Sequence, residues 1–430
     1  MRKRPIAGCP LPALSLILIL SLLLLPLSGC RGEAPGPYSS PTNEFHPKTI
    51  RILLYKVEIL EGMDRLVHAF QASHPGIRVE VAYAGIEYGA ALKGRFAAGE
   101  KPDIFNNSGY AEFSHWKPEL ADLSGEPWVD RLLPGAADPV TDGEGRVYGL
   151  PVNLEGYGYI YNKALFTRAG ILEPPMDYES LAAAVEKLEA AGIVPFVNGY
   201  QVWWVLGTHF MNIALANRED PDAFVQAAMA GEVRLGEDPV VRNWIRMLDL
   251  TLAHGYGDPM TIGYNKQLEL FAKGEGAMIQ QGNWIQTQIQ ELAPELELGM
   301  LPIPVVDGEP GSIPVGVPSN WVVHRNSPVK EEAKEFLRWM AGSQEGQRIL
   351  LEEFKFIPPF SDVPYTREQL GPLAVEVGNH IEAGRTLGWH WMKLPEGSLN
   401  MIGILLQQYV AGELSADRML EGIERILQEM

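Results

Sequence analysis

The first apolar run of the chain, Leu11 to Leu25, follows Arg2, Lys3 and Arg4 and leads into Leu27-Ser28-Gly29-Cys30. Basic residues, then a leucine-rich core, then a small-residue box form the order of a secretory signal. Pro10, Pro12 and Pro26 interrupt or bracket the run. It falls short of the roughly 20 residues a membrane-spanning helix needs. Residues 1–29 are therefore read as a signal peptide, cleaved so that Cys30 is left for lipidation. The segment RGEAPGPYSSPTNEFHPK that follows holds hardly an apolar side chain. It cannot bury enough surface to offset the ordering of its backbone, so residues 30–47 read as a lipidated N-terminus and flexible tether.

From Thr49 the pattern changes. TIRILLYKV reads as a buried strand, and in GMDRLVHAFQASHPG the residues Met63, Leu66, Val67 and Phe70 share one helical face before His74-Pro75-Gly76 stops the helix. IRVEVAYA alternates like a second strand. Strand, helix and strand in this order predict a parallel sheet covered by helices. The grammar recurs in DYESLAAAVEKLEAAGIVPF, where Leu181, Val185 and Leu188 line a face between an Asp177 cap and a Gly192 stop. In FAKGEGAMIQQGNW a turn leads into a short apolar strand, and a bend at Gly282 sets Asn283 and Trp284 at its mouth. Ligands gather at strand ends of this kind in α/β folds.

Length and charge narrow the classes. The body from Thr49 to Met430 is long enough for two domains. Cys9 leaves with the signal and Cys30 carries lipid, so the body has no thiol for a disulfide or a metal. Without the signal, 32 basic residues face 54 acidic ones, a balance of about −22. That charge excludes nucleic acid as a partner. No cofactor is expected. The sequence has no His-Glu-x-x-His helix and no Gly-x-Ser-x-Gly elbow, GAALKGR carries Arg95 where a phosphate loop needs Lys, and GYGYIY and GEGRVYG fail the dinucleotide spacing.

Aromatic residues provide the candidate chemistry. The chain has 10 Trp and 15 Tyr, and half of the Trp fall in GYQVWWVLGTHF, QQGNWIQ and GWHWMK. Trp203 and Trp204 are adjacent, and Trp389 and Trp391 flank His390, so neither pair fits a single helical core stripe. A sugar site needs flat apolar faces for pyranose C–H groups and polar partners for hydroxyls, because a buried unpaired hydroxyl is costly. Asn106 and Asn107 end the strand PDIF and are candidates for that polar role. So are Lys56 and Glu58 after the first strand, Glu87 in AGIEYG and Asn320 in GVPSNW.

In sequence order, KPDIFNNSG, LPVNLEGYGYIYNKALFTRAGI, FAKGEGAMIQQGNW, SPVKEEAKEFLRWMAGSQEGQRIL and GELSADRMLEGIERIL resemble the extracellular solute-binding proteins of carbohydrate ABC transporters, with the maltodextrin-binding members nearest in pattern. The resemblance spans essentially the whole mature chain. It implies an α/β, two-lobed, periplasmic-binding-protein-like (type II) fold with an interlobe ligand cleft and hinge crossovers. Residues 48–152 plus 313–355 would form the first lobe, and 153–312 plus 356–430 the second. It also implies a monomer that captures a carbohydrate and delivers it to permease subunits, held to the membrane through Cys30. In the family a sugar-stacking tryptophan follows the same glycine as Trp284, and Glu155 matches the cleft carboxylate by position. The maltodextrin-binding members carry a carboxylate where this chain has Asn106 and Asn107, so maltose specificity does not carry over. Two rivals remain at this level: a lipid-anchored glycoside hydrolase using Glu155 and Glu87, and the same fold binding a polyamine or peptide.

Overall fold

The computed structural model describes residues 47–430, except Glu309, Glu396 and the side chain of Ile86. The expected signal peptide, Cys30 and tether lie outside the described residues. Ten strands are present among them: β1 Lys48–Leu54, β2 Ile77–Tyr83, β3 Ile104–Asn107, β4 Gly149–Pro151, β5 Glu155–Asn162, β6 Met278–Gly282, β7 Leu298–Leu301, β8 Ile313–Gly316, β9 Asn320–Val323 and β10 Thr386–Leu387.

The predicted strand-helix-strand unit forms. β1 runs parallel to β2, Lys48 opposite Ile77 through Leu54 opposite Tyr83. The helix between them, Leu60–Ser73, ends at His74. It contributes Met63, Leu66 and Phe70 to the same buried cluster as Ile50, Ile52 and Leu54. Adding β3, β9 and β4 gives a first sheet of order β2-β1-β3-β9-β4. The second sheet has the order β10-β8-β5-β6, with β7 also on β5. Its covering helix Tyr178–Ala190 starts where the Asp177 carboxylate accepts from the Ser180 amide at 2.8 Å, and it buries Leu181, Val185 and Leu188 as its spacing predicts. Gly192 follows in the left-handed region at φ +70°.

The chain crosses between the sheets three times. Val152–Leu154 joins β4 to β5, and Val317–Ser319 joins β8 to β9. The third crossing follows the helix Gln344–Glu352, which packs on Leu60–Ser73 and precedes a helix, Pro372–Glu382, packed on β5 and β7. An antiparallel bridge between Leu154 and Ile357 ties the first crossing to the third. One boundary moves. Residues 313–316, assigned from sequence to the first lobe, pair with Glu155 and Gly156 in the second sheet. The physical cause is local: Gly156 is so close to Ile313 and Val377 that only hydrogen fits there, which lets β8 lie against β5.

Candidate functional site

The ends of the two sheets meet at a buried ion pair. Beyond β1, Lys56 is only 7 % exposed and Glu155, the first residue of β5, 3 %. The Lys56 ammonium donates to Glu155 Oε1, which also accepts from Asn153 Nδ2 at 3.0 Å. Burial, the largest single influence, works against the lysine charge, but Glu155, Tyr55 and Glu58 together outweigh it and hold the Lys56 pKa above its ordinary value. The two charges are mutually dependent here, because either one alone would be left in a poorly solvated site.

Beside the pair lies a set of aromatic rings from four separate segments. Trp284 is at its centre: its ring lies 5.0 Å from His209, 6.3 Å from Trp204 in a T-shaped contact, and 6.3 Å from Tyr157. Its indole N–H donates to Gln281 Oε1 at 2.9 Å, and Gln281 in turn is fixed by Gln267 at 2.8 Å. The bend at Gly282 is required sterically, since a Cβ there would stand 2.2 Å from the Trp284 ring and 2.6 Å from the Gly156 carbonyl oxygen. Trp389 lies 5.8 Å from Tyr157 and 5.9 Å from Trp391. Asn212 shapes that loop, accepting from the amides of His390 and Trp391 at 2.8 and 3.2 Å.

The polar candidates divide into those held by protein and those with unused atoms. Asn106 accepts from the Tyr55 amide at 3.0 Å and donates to Ser319, and Asn283 accepts from the Gly156 amide at 2.8 Å. Both amides pin backbone at the sheet ends. Asn107 and Asn320 face each other across β3 and β9. The Asn320 amide donates to the Asn107 carbonyl at 3.2 Å. Asn107 Nδ2, Asn320 Oδ1, Asn153 Oδ1 and the indole nitrogens of Trp389 and Trp391 are buried without a hydrogen-bond partner among the described residues. Side-chain atoms of Tyr83, Trp128, Tyr159, Gln280 and His380 are likewise buried and unpaired among the described residues.

Two of the residues picked from sequence stand apart. Trp203 packs against Gly403 of the helix Ser398–Val410. Glu87 is exposed in the turn Gly85–Glu87, and among the described residues no hydrogen bond or ion pair joins it to the cluster. Glu58 is partly buried and accepts from the Tyr264 hydroxyl at 3.5 Å. Sequence reasoning missed Tyr157, His209 and Tyr264. Tyr157 was visible only as one of the alternating residues in GYGYIY. His209 was visible only near the end of GYQVWWVLGTHF, brought to 5.1 Å from Trp204 by the local helical turn, while Tyr264 lies in a distant segment whose approach to Trp204, at 6.1 Å, is purely tertiary.

Residues 56–347 match the bacterial extracellular solute-binding protein family, and the chain belongs to that family. Among characterised relatives, it is 25% identical over 342 residues to the melibiose/raffinose/stachyose-binding protein MelE of Bacillus subtilis, covering 76% of each chain. It is 22% identical to a multiple sugar-binding protein of Streptococcus mutans, covering 70% of this chain and 72% of the relative. Among solved structures, the solute-binding protein RafE in complex with raffinose superposes with a TM-score of 0.76 at 21% identity, over 89% of this chain and 99% of that one. These neighbours share the two-lobed solute-binding fold.

Proposed function

We propose that this protein captures a neutral oligosaccharide between its two lobes and hands it to the permease of an ABC importer, outside the cytoplasm and tethered by lipid at Cys30. The lobes divide at the three crossings, near Val152–Leu154, Val317–Ser319 and Ile357. The observation that carries this reading is the aromatic group of Trp204, Tyr157, Trp284 and Trp389 set beside unpaired buried amide and indole groups. Ring faces suit the C–H surfaces of a sugar and the unpaired atoms suit its hydroxyls. Relatives named for raffinose, stachyose and melibiose support the same ligand class. The protein acts as a monomer that needs no cofactor and performs no turnover.

A polyamine would require free carboxylates in the cleft, whereas Glu155 is committed to Lys56 and Asn153. The test is isothermal titration of the protein with melibiose, raffinose, stachyose, maltotriose and N,N′-diacetylchitobiose, with spermidine and a tripeptide as controls. Saturable binding of a sugar that is recovered unchanged supports the reading. A consumed sugar points to hydrolysis, and heat only from the controls moves the site to another solute class. Stability should follow occupancy, rising by roughly 2.7 kcal/mol when ligand stands at a hundred times its dissociation constant.

A further inference from the structure

His209 occupies the middle of the aromatic group without being one of its platforms. It lies on a π-helical segment, Val205–Phe210. That widened turn has a packing cause. A Cβ on Gly207 would meet the Leu399 carbonyl oxygen at 2.4 Å and Gly403 Cα at 2.7 Å, so the segment is pressed directly onto the backbone of the helix Ser398–Val410. A π turn inserts one extra residue and re-aims those beyond it, which is why such turns recur at functional sites. Here it brings the imidazole to 4.5 Å from Tyr157 in a stacked contact, 5.0 Å from Trp284, 5.1 Å from Trp204 and 5.9 Å from Trp389.

Four rings therefore wall a group whose own polar atoms are unused. The Tyr157 hydroxyl donates to the backbone carbonyl of His209 at 2.9 Å. Among the described residues, the ring nitrogens have no hydrogen-bond partner. Burial, and then the nearby charge of Lys56, hold the imidazole down at about 3, so it is neutral at physiological pH. A neutral imidazole offers one N–H donor and one bare nitrogen acceptor. A sugar hydroxyl both donates and accepts, so either tautomer complements it.

We propose that His209 is the specificity-determining polar residue of this site, hydrogen-bonding one hydroxyl of a sugar that the surrounding rings hold in place. This rests on the carbohydrate reading above. Hydrophobic walls alone discriminate weakly between sugars that differ by one hydroxyl, while a polar group left unpaired by the wrong sugar rejects it strongly. His209 is thus the residue that converts a general aromatic platform into a selective one.

The test uses the full mature protein and whichever of raffinose, stachyose, melibiose, maltotriose or N,N′-diacetylchitobiose the wild type binds most tightly. His209→Gln keeps a donor and an acceptor, and His209→Phe keeps an aromatic ring without either. The expected result is affinity within about tenfold of wild type for His209→Gln and a loss of ten- to a hundredfold for His209→Phe, with unliganded melting temperatures alike. A second readout is the monodeoxy series of the same sugar. One position should be penalised in wild type and lose that penalty in His209→Phe. If His209→Phe does not fold, His209→Leu, which also lacks both hydrogen-bonding atoms, takes its place in the comparison of the series with wild type, where loss of a tenfold penalty at one position supports the contact. Equal affinities in the variants, or identical deoxy series, overturn the role of His209 while leaving the carbohydrate reading intact. If wild type binds no sugar of the panel, the carbohydrate reading itself fails, and this role falls with it.

Discussion

Lys56 and Glu155 come from the ends of separate sheets and touch where neither charge is well solvated. Breaking such a pair from one side is expensive because the surviving charge has nowhere to go. Lys56→Met should therefore lower unfolding free energy by about 3–5 kcal/mol, and adding Glu155→Gln should restore part of the loss. Urea denaturation of the single and double variants checks this; equal stabilities would mean that water reaches Glu155. His209 makes a separate prediction, about pH. Its folded value of about 3 lies well below the ordinary histidine value near 6.5. Below pH 6.5 the unfolded chain takes a proton that the folded protein refuses, so stability falls as pH falls, by up to about 1.4 kcal/mol per pH unit for one such group. Burial also lowers His380 and His324. Urea midpoints between about pH 6.5 and 5, before most carboxylates titrate, should decline in wild type and decline less steeply in His209→Gln.

At the level of elements, the segment Val205–Phe210 and the helix Ser398–Val410 meet through Gly207 and Gly403, glycine against glycine. A methyl at Gly403 would stand 2.8 Å from the Trp203 carbonyl oxygen. Gly403→Ala should cost about 1–3 kcal/mol by overpacking and also weaken sugar binding, since the shifted segment carries both Trp204 and His209. Thermal unfolding and titration with the bound sugar measure the two effects; a loss of stability with unchanged affinity would separate the segment's packing from its place in the site. The elements legible in sequence were those with a repeating pattern: the β1-helix-β2 unit and the Leu181, Val185 and Leu188 face both form. The π segment was not legible, because what widens it is a contact with a helix nearly two hundred residues later. The same limit explains why the pairing of β8, only four residues long, with β5 could not be read from sequence, and why Trp203 and Trp204, adjacent in sequence, pack against different partners. Trp204, Trp284, Trp389, Trp391, Lys56 and Glu155 could be picked out as residue types suited to a cleft. Their arrangement depended on tertiary distances that periodicity does not encode.

Across the whole molecule, the helix that follows β3 meets the distant segment His390–Lys393. Tyr110, at the start of that helix, has its ring 5.1 Å beneath the Lys393 ammonium, and Asp222 fixes that ammonium at 2.6 Å from both carboxylate oxygens. Tyr110 also carries a backbone φ of +44°, a costly conformation for a residue with a side chain, directly after Gly109 at +95°. Such strain persists where surrounding contacts overdetermine it. If ligand binding draws on a population of closed molecules, a contact made only on closure adds to affinity without touching ligand. Lys393→Ala removes a partly exposed cation–π contact of about 0.5–1 kcal/mol and should therefore raise the dissociation constant of the bound sugar about two- to fivefold. The same variant should show a larger radius of gyration by small-angle scattering without ligand and the wild-type value at saturation. A weaker affinity with identical scattering in both states would instead place the effect of Lys393 on Asp222 and the neighbouring Trp391 loop rather than on closure.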